Sequence, residues 1–161
     1  MTDSPIQIGK AAPKFTLTDT DGHRVSLAGL KGQWVILYFY PKDDTPGCTK
    51  EACQFSAALK PFERQNATVL GVSPDEAESH RQFIDKFKLK ITLLCDPDRK
   101  VMEKYGAWGT KKLYGKTTVG VIRSTVVIDP QGKVAHHWKS VRADGHAEHV
   151  RRKLEELQRG H

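Results

Sequence analysis

The 161-residue chain is 38% hydrophobic and 28% charged, enough apolar material for one self-sufficient core and too much for a disordered segment. Its formal charge is +7, but Lys and Arg are spread from Lys10 to Arg159 without a long basic block, which indicates a solvated surface and no nucleic-acid partner. No run approaches the roughly 20 apolar residues of a membrane span, and the first residues lack the basic and apolar regions of an export signal, so no membrane association and a cytoplasmic address are expected.

Residues 1–12 read as a loosely held lead-in. Phe15 and Leu17, then Arg24 to Leu27, form two short strands about Asp21-Gly22, a strong hairpin dipeptide. After a turn to Gly32, residues 34–40 are a continuous apolar, β-branched and aromatic run, the pattern of a strand buried on both faces. Pro41 stops it, and Pro46-Gly47 is loop punctuation. From Cys48 the apolar Ala52, Phe55 and Leu59 recur at helical spacing, which places Cys48 in a first helical turn. Unpaired N–H groups and the aligned peptide dipoles place partial positive charge there, a setting that favours negative charge on a sulfur. Thr45, three residues earlier, can fold its hydroxyl back towards the sulfur or a ligand oxygen. Cys53 follows by five residues, about 140° around an unbroken helix and roughly 7.5 Å along it. A disulfide needs Cα atoms about 4.4–6.8 Å apart, so Cys48 can bond Cys53 only if the first turns unwind.

Pro61 ends this helix near Leu59, with one further turn through Arg64. Residues 67–73 are a second interior strand. Ser73, Pro74 and Glu76 then read as N-cap, first helical residue and capping-box acid of a helix running to about Phe87. A short strand at residues 92–94 ends at Cys95, a buried small residue or a second resolving thiol. Asp96-Pro97-Asp98 opens a short helix through Tyr105. Residues 106–120 read as a Lys- and Gly-rich loop. Its Gly115-Lys116-Thr117 is no phosphate loop, since Thr110 stands where glycine is needed and strand pattern follows. Residues 121–128 read as one strand containing Arg123, costly if buried unpaired and ordinary at an edge. A turn at residues 129–132 leads to a partner strand over residues 134–138. Gly145-His146 begins a last helix with Val150, Leu154 and Leu157 on one stripe.

An odd count of three cysteines, without a C-x-x-C pair, favours reactive thiols over a disulfide framework or a zinc site. Among seven histidines, adjacent His136 and His137 point to opposite faces of a strand, while His146 and His149 lack an acidic or cysteine partner, so no metal is expected.

The pattern Pro41-x-x-x-Thr45-x-x-Cys48 resembles the active-site signature of the peroxiredoxins, and Cys53 resembles the second cysteine of their bacterioferritin-comigratory, or Q-type, subfamily. The likeness runs from about Gly9 to Leu157. It implies one α/β domain over residues 1–161 with a thioredoxin-like fold: a mixed central sheet flanked by helices, with an N-terminal β-hairpin. It also implies a peroxidatic Cys48, a resolving Cys53, a redox-active disulfide between them, and Pro41, Thr45 and Arg123 as further members of the site. A hydroperoxide substrate, thioredoxin or another dithiol as reductant, no cofactor, and a monomer or weak dimer complete the expectation. A dithiol-disulfide oxidoreductase shares the fold but places C-x-x-C at the helix start, where this chain has four intervening residues.

Overall fold

The computed structural model describes residues 6–113 and 115–160. The chain runs β1 (Thr16–Asp19), β2 (Arg24–Ser26), β3 (Trp34–Phe39), α1 (Pro46–Ala57), α2 (Leu59–Arg64), β4 (Ala67–Ser73), α3 (Ala77–Phe87) and β5 (Thr92–Cys95). It continues through α4 (Lys100–Lys104), β6 (Trp108–Leu113), β7 (Lys116–Val121), β8 (Ser124–Ile128), β9 (Val134–Trp138) and α5 (His146–Arg159). Seven strands form one mixed sheet in the order β2-β1-β5-β4-β3-β8-β9. Strands β3, β4 and β5 are parallel neighbours, while β8 runs antiparallel to β3, and β1 to β5.

Every residue of β3 is buried, as its unbroken apolar run requires. Successive side chains of a strand point to opposite faces. Val35, Leu37 and Phe39 accordingly join one apolar cluster, with Met102, Tyr105 and Val126. Trp34, Ile36 and Tyr38 join the other, with Phe55 of α1, Phe83 of α3, and Val150 and Leu154 of α5. Tyr38 stacks on Phe55 with ring centroids 4.6 Å apart, so the strand that delivers the chain to α1 also holds that helix down. Each of these fully buried side chains contributes about 1.5–3 kcal/mol of transfer free energy.

Four expectations are revised. The lead-in is docked from Ile6 onward: Ile6 is buried, the Gly9 N–H donates to the Val134 carbonyl (2.8 Å), and Ala11 bridges Lys133. Residues 1–5 lie outside the described residues. Helix α3 starts at Ala77, with Glu76 as N-cap, because Ser73 still belongs to the sheet: it pairs with Cys95, and its carbonyl accepts the Asp96 N–H at 3.0 Å. The 106–120 loop contains a two-stranded antiparallel hairpin, β6 with β7, turning at Gly115 with a positive φ of 78°. The strand expected over residues 121–128 is two: β7 ends at Val121 and β8 begins at Ser124, in a different sheet, with Ile122 and Arg123 between them. The break at Ala58 and the extra turn α2 match the reading of Pro61. Among the described residues, no helix is long and apolar enough to cross a membrane.

Candidate active site

Strand β3 ends in the buried core, and the chain leaves it through Tyr40 and the half-buried Pro41. Thr45 sits extended at the N-cap of α1, Pro46 opens the helix, and the Thr45 carbonyl accepts the Thr49 N–H at 2.8 Å. Proline suits the first helical position, whose N–H has no intrahelical acceptor. Cys48 is therefore in the first turn, and only 1% of its surface is exposed.

Arg123, in the break between β7 and β8, crosses to this turn. Its Nη2 donates to Cys48 Sγ at 3.2 Å and its Nη1 to Glu51 Oε1 at 2.7 Å. One planar guanidinium thus spans two α1 side chains three residues apart, which lie on the same helix face. Gly47 makes room for it: a Cβ there would stand 3.1 Å from Nη2. Glu51 is fully buried, and its Oε2 has no hydrogen-bond partner among the described residues. Burial pushes the Glu51 carboxyl up to about 7 despite the opposing pull of Arg123. For Arg123, burial works against the charge, and the neighbouring Glu51 and Cys48 outweigh it. The Cys48 sulfur consequently faces a helix N-terminus and a cation, with a buried carboxyl behind the cation.

The other expected site residues are placed less directly. The Thr45 hydroxyl donates to the Lys42 carbonyl at 2.9 Å, folding back onto its own loop and not onto the sulfur. Cys53 is half-buried on the same continuous helix and, like Cys48 and Cys95, is a free thiol. It opens onto a surface cleft of about 450 Å³ bordered by Thr45, Pro46, Thr49, Lys50 and Phe87. The regular helix keeps the two thiols on different sides of α1, about 140° apart. Cys95 ends β5, buried, and burial raises its thiol pKa. His146 faces inward, its Nε2 2.8 Å from the Thr125 hydroxyl.

Sequence reasoning missed Glu51 and Gly47. The signal for Glu51 was its i+3 spacing from Cys48, but helix-surface acids at such spacing are usually solvated. Gly47 was read only as a loop residue. The missing information was where Arg123 lands.

A thioredoxin-like sheet that delivers a buried cysteine to a helix N-terminus, under an arginine from a neighbouring strand end, is the arrangement of a thiol peroxidase. The chain belongs to the AhpC/TSA family, whose model matches residues 8–137, and within it to the Bcp, or Q-type, peroxiredoxins. It is 49% identical over 145 residues to a putative peroxiredoxin Bcp of Helicobacter pylori, covering 90% of this chain and 95% of that one. It is 40% identical over 153 residues to the peroxiredoxin Bcp of Escherichia coli K12, covering 95% and 98%. Among solved structures, peroxiredoxin Q of Xanthomonas campestris superposes with a TM-score of 0.85 at 35% identity, covering 96% of this chain and 98% of that one. A cysteine variant of the Xylella fastidiosa homologue reaches 0.89 at 34% identity, covering 95% and 98%.

Proposed function

We propose that this peroxiredoxin reduces hydrogen peroxide and organic hydroperoxides with Cys48 as the peroxidatic thiol and Cys53 as the resolving one. The observation that carries the reading is the Arg123 guanidinium held 3.2 Å from Cys48 Sγ while anchored on Glu51. A bacterioferritin comigratory protein of Xanthomonas campestris, 34% identical and covering 96% of this chain and 98% of its own, has been described with alkyl peroxide reduction activity, which supports the organic substrates.

The Cys48 thiolate attacks the terminal peroxide oxygen. The O–O bond breaks, the sulfur takes OH and becomes a sulfenic acid, and the alkoxide or hydroxide leaves to be protonated as alcohol or water. Arg123 and the helix N-terminus stabilise negative charge on the sulfur and on the departing oxygen. Thr45 exchanges its bond to the Lys42 carbonyl for one to the bound peroxide, and Pro41 shields the cysteine from water. The first turns of α1 then unwind, the Cys53 sulfur displaces hydroxide from the sulfenic sulfur, and a disulfide and one water form. Thioredoxin or a similar dithiol regenerates both thiols by exchange. The chemistry proceeds on sulfur alone, within one domain, and the working unit is a monomer or a weak dimer.

Stopped-flow peroxide consumption tests the assignment. Cys48→Ser is expected to abolish turnover, while Cys53→Ser completes one fast reduction per chain and then stalls in the presence of thioredoxin. Full multiple turnover by Cys48→Ser contradicts the scheme.

A further inference from the structure

The loop between β3 and α1 carries Pro41 and Thr45, and Asp43 stands in it, buried, with 6% of its surface exposed. Its carboxylate receives three side chains. Oδ1 accepts the Tyr40 hydroxyl at 2.6 Å; Oδ2 accepts the Ser79 hydroxyl at 2.8 Å and meets His80 Nδ1 at 2.7 Å. The Asp43 N–H in turn donates to Asp75 Oδ2 at 2.8 Å, the same oxygen that accepts the Ser73 hydroxyl at 2.7 Å. His80 is fully buried, and its Nε2 lies 3.0 Å from the Leu94 carbonyl. That carbonyl only accepts, so Nε2 is the donor in this bond. The cluster ties one loop residue to the end of β4, the first turn of α3 and the end of β5.

Among the described residues no hydrogen bond or ion pair joins this cluster to Cys48, Arg123 or Glu51, whose polar contacts are with one another, and the peroxidase chemistry gives it no task. Its position does. Among the described residues, the loop's other side-chain tethers are the local Thr45–Lys42 bond and the exposed Lys86–Asp44 ion pair, which contributes little. On its far side Cys48 is held by the buried Glu51–Arg123 pair. Asp43, five residues before Cys48, is thus the buried polar anchor on the near side.

We propose that Asp43 and His80 are positioning residues forming a catch, which pins the loop and the first turn of α1 and sets how readily α1 unwinds to bring oxidised Cys48 to Cys53. The inference rests on the resolution scheme above. A buried carboxylate stripped of one donor keeps its desolvation cost, so weakening the catch destabilises the wound state selectively and raises the unwound population. Resolution, in which the sulfenic acid and the Cys53 thiol give disulfide and water, then speeds up. It also outcompetes overoxidation, in which a second hydroperoxide converts the sulfenic to a sulfinic acid and leaves as alcohol.

The test compares wild type with His80→Leu, which removes the donor to Asp43, with the milder Ser79→Ala and Tyr40→Phe, and with a Leu154→Ala control in the core beneath α5. Single-turnover kinetics read peroxide attack and disulfide formation separately, and mass spectrometry reads the peroxide dose that gives half sulfinic acid. His80→Leu is expected to speed disulfide formation about tenfold and raise that dose by a similar factor, with attack slowed less than about threefold. The milder variants fall between, and they carry the test if His80→Leu does not fold. The control loses thermal stability without changing the ratio of the two rates. Unchanged disulfide formation in the folded catch variants, or a slowing in step with attack, overturns the catch. Should wild type form no Cys48–Cys53 disulfide, the resolution scheme fails by itself. Hydrogen exchange over residues 49–55 of the reduced protein then decides the catch: faster in the variants supports it, unchanged overturns it.

Discussion

At Arg123 the important quantity is the number and geometry of donors, not charge alone. The guanidinium reaches Cys48 Sγ and Glu51 Oε1 with two different nitrogens, a geometry that one ammonium on a flexible stem does not reproduce. Arg123→Lys is therefore expected to slow peroxide attack by about 10²-fold, equivalent to roughly 2.7 kcal/mol, while leaving the Cys48–Cys53 disulfide, once formed, as reducible as before. Stopped-flow single turnover measures it, and a loss below threefold contradicts the bridging role. Cys48 and its spacing to Thr45 and Cys53 were legible because local sequence sets them. The role proposed for Arg123 was suggested only by resemblance, and Glu51 not at all, because their contact depends on the interruption between β7 and β8, which brings residues 72 positions apart together.

At the scale of elements, the proposed resolving step requires α1 to lose its first turns, so under that proposal helix propensity there enters the rate. Lys50 is exposed on α1, and replacing a residue of a helix interior by glycine costs about 1 kcal/mol. Lys50→Gly is expected to speed disulfide formation about fivefold and to leave the sheet untouched, as read by single-turnover kinetics and far-UV dichroism; an unaltered rate contradicts local unwinding. Strands β3 and β4 could be read from sequence as unbroken apolar runs buried on both faces, and helices α1 and α5 from apolar residues at helical spacing. The β6–β7 hairpin could not, since most of β7 is exposed, its Lys and Thr residues give no apolar alternation, and Gly115 marks equally well a loop or a turn. Ser73 misled for the opposite reason: it has the chemistry of a cap, but the sheet claims its backbone first.

For the whole molecule, two buried titrations act in opposite directions on stability. His146 and His137 are lowered to about 4, chiefly by burial. The unfolded chain, with histidine at its usual 6.5, binds more protons than the native one between those values, so their contribution is lost as pH falls from about 6.5 to about 4. Glu51 is raised to about 7 from 4.5, so the native state binds more protons between those values, and this contribution weakens as pH rises across them. Urea unfolding between pH 4 and 7 is expected to show a steeper rise of stability with pH in Glu51→Gln than in wild type, and a shallower one in His146→Gln. Parallel curves for all three contradict these assignments. The two-faced core about β3 was readable in outline from its apolar run, but the choice of partners was not: which helix covers which face is fixed by parallel crossovers that sequence periodicity does not encode.

The most direct test of the account is peptide mapping by mass spectrometry after one equivalent of hydroperoxide is added to the fully reduced protein. The account predicts a single intramolecular disulfide between the Cys48 and Cys53 peptides, with Cys95 still a thiol. Oxidation that spares Cys48, or a disulfide joining Cys48 to Cys95, would contradict it.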